Sequence, residues 1–233
     1  MTGVAVGFDF DHTLGLDNGL ERHAFGLLSE QLGGPLDVDA PKIAHAIEAL
    51  MVPFRAAEEP MARMVARFAA TLAPNAQTVD LDADALAARY RQICYGLVDR
   101  LVEPMPGAVD CIAALVASGT AVGILTNGWS ELQERKIARA LGVFPGPIIV
   151  SETVGTFKPS ADAFRMLEAA LGVDAAGLWY VGDDPAADIA GARAYGLRAV
   201  WFNRDGHAYP AELAAPTAVI EHLDALAAVV RGA

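Results

Sequence analysis

The strongest constraint on this chain is the rhythm of its second half, where short apolar runs alternate with helical segments. Beyond Glu103-Pro104 the runs "AVGILT" (121–126), "PIIV" (147–150), "LWYVG" (178–182) and "RAVWF" (198–202) each follow a helix-like stretch, at about 106–117, 130–141, 161–171 and 185–195. Short continuous apolar strands are buried on both faces, and their alternation with helices is what a parallel sheet with crossover helices requires. A further run, "VAVGFDF", opens the chain and has to join the same sheet. The expected fold class is α/β, a doubly wound Rossmann-like parallel sheet.

Between the first run and the rest, the period changes. Leu20, Ala24, Leu27 and Leu28 share one helical face, and Ile43, Ala46, Ile47, Leu50 and Met51 share another that is expected to end before Pro53. Met61, Met64, Val65, Phe68 and Leu72 follow at helical spacing, as do Leu86, Tyr90, Ile93 and Leu97. No segment here reads as a strand, so residues 17–104 are expected to form an inserted all-helical domain. Residues 1–16 and 105–233 then make the α/β core. The methionines read as core filling, since Met at helical spacing fills irregular gaps.

With 54% hydrophobic residues the chain has the composition of a globular protein. Its formal net charge is -12, from 29 acidic and 17 basic residues, with no basic cluster. Nucleic acid and anionic membrane are therefore not expected partners. An acidic protein that handles an anion must gather positive charge locally, and a metal ion does that. The uncharged stretch from Cys111 through Ser130 is broken by Ser118-Gly119-Thr120 and reads as helix, turn and buried strand rather than a membrane span. Cys94 and Cys111 form no C-x-x-C pair and read as buried thiols of a reducing compartment. No basic region followed by an apolar run opens the chain, so a cytoplasmic location is expected.

Ligands of open α/β sheets bind beyond the carboxyl ends of the strands. Four segments place polar groups at or near such ends: Asp9 and Asp11 in "DFDHTLG", Thr126 and Asn127 in "ILTNG", Lys158 in "TFKPS", and Asp183, Asp184 and Asp188 in "VGDDPAADIAGA". Carboxylates converging without counter-charge repel strongly. A hard divalent cation with oxygen ligands resolves the conflict, and Mg²⁺ fits best because it binds beside phosphate and keeps waters. Lys158, Thr126 and backbone N–H groups are placed to hold an anion next to it. Of two carboxylates at one strand end, one can attack a phosphoryl group and the other can do acid–base work. Asp184 reads as a helix N-cap with Pro185 at the first helical position, and His12 as a turn residue.

These four motifs, in this order, resemble those of the haloacid dehalogenase superfamily, and the insertion resembles its first type of helical cap. The resemblance spans nearly the whole chain. It implies Asp9 as nucleophile and Asp11 as acid/base. It implies Mg²⁺ held by the side chains of Asp9 and Asp183 and the carbonyl of Asp11. Thr126, Asn127 and Lys158 become the candidate phosphate-binding residues, with Asp188 supporting the metal or Lys158 from behind. Dehalogenases of the superfamily lack an aspartate two positions after the nucleophile, so Asp11 places this chain with phosphatases and phosphotransferases. "TNGWSELQERKI", "SETVGTFKPSADAF" and "AVWFNRDG" resemble the branch that holds nucleoside monophosphatases and acylneuraminate phosphatases. The expected activity is hydrolysis of the phosphoric monoester of a small metabolite, such as a nucleoside monophosphate or sugar phosphate. A phosphomutase on the same core and a receiver-like module phosphorylated on Asp are the alternatives. The segment "MVPFRAAEEP" (51–60), with Arg55, is the candidate loop for reading the leaving group.

Overall fold

The computed structural model describes residues 3–55, 58–72 and 82–232. The chain divides into two compact units, Met1–Asp17 with Glu103–Ala233, and Asn18–Val102.

The first unit is built on a six-stranded parallel sheet. Its strands are β1 (Ala5–Phe8), β4 (Ala121–Thr126), β5 (Ile148–Val150), β6 (Leu178–Gly182), β7 (Arg198–Phe202) and β8 (Ala218–Ile220), in the order β5-β4-β1-β6-β7-β8. β1 lies between β4 and β6, with Phe8 in register with Ile124 and Val181. The strand order reverses on β1, so the crevice of a doubly wound sheet opens beyond its carboxyl end. The helices α5 (Ala108–Ala117), α6 (Ser130–Leu141), α7 (Ser151–Val154), α8 (Ala161–Leu171), α9 (Gly191–Tyr195) and α10 (Leu226–Arg231) complete this unit. All residues of β1 and β6 are buried, as continuous apolar runs in a covered sheet must be. Phe164 of α8 meets Tyr180 of β6 edge-on, ring centroids 5.2 Å apart, inside a cluster that includes Leu125, Leu167, Ile189 and Trp201.

Three features of this unit differ from the sequence expectation. β2 (Gly15–Leu16) and β3 (Glu103–Pro104) form a two-stranded antiparallel ladder in this unit, where the chain leaves for the helical unit and returns. Two-residue strands carry no period, so no pattern announces them. β8 adds an edge strand beyond "RAVWF". The helix expected from Pro185 to Tyr195 is in two parts, a π-helical stretch Pro185–Ala190 followed by α9. The uncharged stretch is α5, a turn and β4, and no helix among the described residues is long and apolar enough to cross a membrane. Cys94 and Cys111 are buried and form no disulfide.

The second unit consists, among the described residues, of α1 (Leu20–Gln31), α2 (Pro41–Arg55), α3 (Met61–Leu72) and α4 (Ala83–Leu101). Phe25 of α1 sits between Phe68 of α3 and Tyr90 of α4, at centroid distances of 4.3 and 4.4 Å. Met61 and Met64 are buried with them, as core filling requires. α2 does not end before Pro53 but runs through it to Arg55. Proline forfeits one helical N–H, and Pro53 stands only two residues from the end of the helix, where few further helical bonds depend on it.

Candidate active site

The corner after β1 begins with Asp9, whose N–H still donates to the Val181 carbonyl at 2.8 Å. The chain then folds back on itself. The Phe10 carbonyl accepts from the N–H groups of Thr13, Leu14 and Gly15 at 3.2, 2.9 and 2.9 Å. His12 takes a left-handed φ of 59°, a conformation in which His is enriched among non-glycine residues. Gly15 lies against the Phe10 ring, where a Cβ would stand 2.4 Å from the nearest carbon. This tight turn gives the two carboxylates different surroundings although they are two residues apart.

Asp9 faces the carboxyl ends of β1 and β6. Lys158 Nζ donates to Asp9 Oδ1 and to Asp188 Oδ1, both at 2.6 Å. All three residues are buried. Carboxylate oxygens of Asp9, Asp183 and Asp188 lie within 4.8 Å of one another. Gly182 makes room for this cluster: a Cβ there would be 2.2 Å from an Asp188 carboxylate oxygen. Thr13 Oγ1 donates to Asp183 Oδ1 at 3.3 Å, and Trp201 Nε1 donates to the Asp183 carbonyl at 2.9 Å. Asp184 caps the following helix, accepting from Ala186 and Ala187 N–H at 2.7 and 2.8 Å. Its own N–H donates to Asp188 Oδ2 at 3.0 Å.

Charge is unbalanced here. Burial pushes the Asp9 carboxyl well up; Lys158 opposes this, while Asp188, Asp183 and Asp11 add to it. Burial, then Asp188, pushes Asp183 up to about 7. Burial also raises Asp188 against the pull of Lys158. For Lys158, burial favours the neutral amine, but Asp188 and Asp9 outweigh it and hold the ammonium. Three carboxylates thus gather around Lys158, and their negative charge exceeds its single positive one. An all-oxygen donor set short of positive charge suits a hard divalent ion, and Mg²⁺ fits these residues.

Asp11 turns toward α6. Gln133 Nε2 donates to Asp11 Oδ2 at 2.8 Å, and Lys136 Nζ is ion-paired with Asp11 Oδ1. Lys136 also reaches Asp17 Oδ2 at 3.6 Å. Burial alone would raise the Asp11 carboxyl, yet Lys136 and Gln133 more than compensate and lower it. The same Gln133 nitrogen donates to Thr126 Oγ1 at 2.7 Å, at the end of β4. Asn127, one residue on, points its side chain at the main chain of Lys158, as donor and as acceptor. The Lys158-Pro159 peptide is cis.

The expected residues therefore fall into linked groups. Asp9, Lys158, Asp183 and Asp188 are clustered, Asp11 and Thr126 share Gln133, and Asn127 fastens Lys158. Arg55 belongs to the other unit. It is the last residue of α2 rather than part of a loop, and it pairs with Glu21 and Glu48, each at 2.9 Å. Ala56 and Ala57 lie outside the described residues. Sequence reasoning missed Gln133 and Lys136. The signal was present: they stand one turn apart on the face of α6 that also buries Leu132, Ile137 and Ala140. A lysine and a glutamine on the apolar face of a helix need polar partners.

A family model described as haloacid dehalogenase-like hydrolase matches residues 5–196. Among curated proteins, a phosphoserine phosphatase from Thermus thermophilus is 39% identical over 100 residues, which is 42% of this chain and 40% of that protein. A pyrimidine 5'-nucleotidase from Escherichia coli is 35% identical over 128 residues, 54% of this chain and 56% of that protein. The chain thus matches about half the length of these curated relatives. A haloacetate dehalogenase from Moraxella matches as well, 28% identical over 127 residues, 54% of this chain and 56% of that one. Among solved structures, a hydrolase from Bacillus subtilis bound to magnesium superposes with a TM-score of 0.78 at 28% identity, covering 99% of both chains.

Proposed function

The chain belongs to the haloacid dehalogenase-like hydrolases, and we propose that within this family it is a Mg²⁺-dependent phosphatase of a small phosphorylated metabolite. The observation that carries the reading is Asp11, a second carboxylate at the same strand end as Asp9, held by Gln133 and Lys136. An alkoxide leaving a phosphoric ester needs a proton, and an acid–base group supplies it. A halide leaving a haloacid needs none, so the leaving step of a dehalogenation gives this group no proton to deliver.

In this reading Asp9 attacks the phosphorus, and the bond from phosphorus to the leaving oxygen breaks. Asp11 gives that oxygen a proton. Water then attacks the aspartyl phosphate and returns a proton to Asp11, the Asp9–phosphorus bond breaks, and inorganic phosphate departs. Lys158 exchanges part of its bond to Asp9 for the phosphoryl oxygens, while Asp188 keeps it in place. Thr126 offers its hydroxyl to the same group. Asn127 serves through its main chain, since its side chain is committed to Lys158. Mg²⁺, held by the side chains of Asp9 and Asp183 and the carbonyl of Asp11, supplies positive charge to the transferring group when bound. Asp188 lies close enough to those carboxylates to orient them.

The 5'-nucleotidase relative supports a nucleoside monophosphate as one substrate to try, and the phosphoserine phosphatase relative a small phosphorylated acid. The helical unit, residues 18–102, is proposed to act as a cap that selects the leaving group. Cys94 and Cys111, buried as thiols, support a cytoplasmic setting. The test is a phosphate-release screen with Mg²⁺ across nucleoside monophosphates, sugar phosphates, phosphoserine and phosphoglycolate, with 2-haloacids tested in parallel for halide release. Phosphate release from at least one ester, without halide release, is expected. Halide release alone would overturn the reading.

A further inference from the structure

Lys136 is buried on α6, its ammonium ion-paired with Asp11 Oδ1, while Gln133 donates to Asp11 Oδ2 at 2.8 Å. Both carboxylate oxygens therefore face donors. An ionised carboxylate is an acceptor only, whereas a protonated one must spend an oxygen on its own O–H. Two donors converging on one carboxylate fit its ionised form, and a charge-assisted bond fixes its orientation more firmly than a neutral one.

The two halves of the proposed reaction ask opposite things of Asp11. In the first it loses a proton to the leaving oxygen. In the second it begins as a carboxylate and takes a proton from water as the oxygen–phosphorus bond forms and the Asp9–phosphorus bond breaks. The donors on α6 match the carboxylate present at the start of the second half. We propose that Lys136 is a positioning residue that acts through Asp11 in the water-activating half of the reaction. The proposal rests on the phosphatase reading. It assigns Lys136 no contact with substrate: Lys136 holds Asp11 from the side of α6, and its 3.6 Å approach to Asp17 braces it from the segment that leaves the sheet.

The half-reactions separate kinetically on p-nitrophenyl phosphate. Its leaving group departs as a stable anion, so the first half needs little help from an acid. kcat/KM then reports formation of the aspartyl phosphate, and kcat includes its hydrolysis. In Lys136→Met, kcat is expected to fall by roughly 10–100-fold, a part of the 10²–10⁴ that acid–base groups contribute. kcat/KM is expected to change less than about threefold, and a burst of nitrophenol approaching one per active site should precede the slow steady state. Lys136→Gln, which keeps a donor in the buried site without the charge, is measured beside it and is expected to fall between wild type and Lys136→Met. A merely structural role lowers the active fraction, so that kcat and kcat/KM fall together without a burst. That result, no change in either constant, or loss of folding in both variants would overturn the proposal. A wild-type chain that releases phosphate from no ester would instead remove the reading beneath it.

Discussion

Asn127 holds the backbone of Lys158 from both sides, donating from Nδ2 to the Lys158 carbonyl at 3.0 Å and accepting the Lys158 N–H on Oδ1 at 2.9 Å. A residue at the end of β4 thereby fixes the loop that carries Lys158, the ammonium bonded to both Asp9 and Asp188. Asn127→Ala should leave both main-chain groups without these partners. Each such loss costs about 1–3 kcal/mol where water cannot replace it. Stability in urea should fall by an amount between one such loss and the sum of the two, and KM for a phosphate ester should rise as Lys158 loses its fixed position. An unchanged KM would show that Lys158 is held without Asn127.

Asp11→Asn should leave Mg²⁺ binding largely unchanged, because this residue is proposed to meet the metal through its carbonyl. Turnover should fall by about 10²–10⁴. Calorimetric Mg²⁺ titration beside steady-state kinetics checks both halves. Unchanged turnover would remove Asp11 from the acid–base role.

Asp183 contributes to the pH response of the metal-free protein, in the same direction as Asp9 and Asp188. Its carboxyl is pushed up to about 7 in the fold, by burial first and Asp188 second, against about 3.9 in an unfolded chain. The folded state keeps a proton that the unfolded state has released across that window. The contribution to stability is complete below the unfolded value and is lost as pH rises through about 7. In EDTA, Asp183 therefore makes the protein less stable at about pH 8 than at about pH 6. Mg²⁺ competes with the proton, so its stabilising effect should be larger at the higher pH. Thermal melts with EDTA or Mg²⁺ at both pH values check this. A Mg²⁺-induced shift in Tm of the same size at each would contradict it. Activity should vanish in EDTA and return with Mg²⁺ but poorly with Ca²⁺, whose longer bonds and higher coordination number suit this compact site less well.

Arg55 is half-exposed and already paired with Glu21 and Glu48. Exposed pairs of this kind contribute about 0–1 kcal/mol, less at high salt, so Arg55→Ala should barely change Tm. If Arg55 also reads the leaving group, the substitution should alter KM and substrate rank more than turnover on p-nitrophenyl phosphate. Equal effects on every substrate would leave Arg55 a structural tie within its own unit.

The strands were legible because continuous apolar runs such as "LWYVG" have few other folded homes, and their polar ends showed where chemistry collects. Asp184 was legible as a cap because Pro185 follows it, and its side chain accepts two helical N–H groups. The ladder of β2 and β3 was not legible, since pairing between Gly15–Leu16 and Glu103–Pro104 is a tertiary event between short segments far apart in sequence. The course of α2 through Pro53 was not legible, because a proline lowers helix propensity without fixing whether the helix ends before it or one turn later. Lys136 and Gln133 were readable as polar residues on a buried helical face. Their partner, Asp11, was not, because only the turn at His12 directs that carboxylate toward α6.

In the proposed reaction Asp9 becomes phosphorylated. The most direct measurement is to mix the Mg²⁺-loaded protein with a substrate from the screen, quench in acid within the first turnover, and locate any added phosphoryl group by peptide mass. One phosphoryl group on the peptide that contains Asp9, absent in Asp9→Asn, is the predicted result. Rapid phosphate release with no phosphorylated peptide at any quench time, or turnover retained in a folded Asp9→Asn protein, would contradict it.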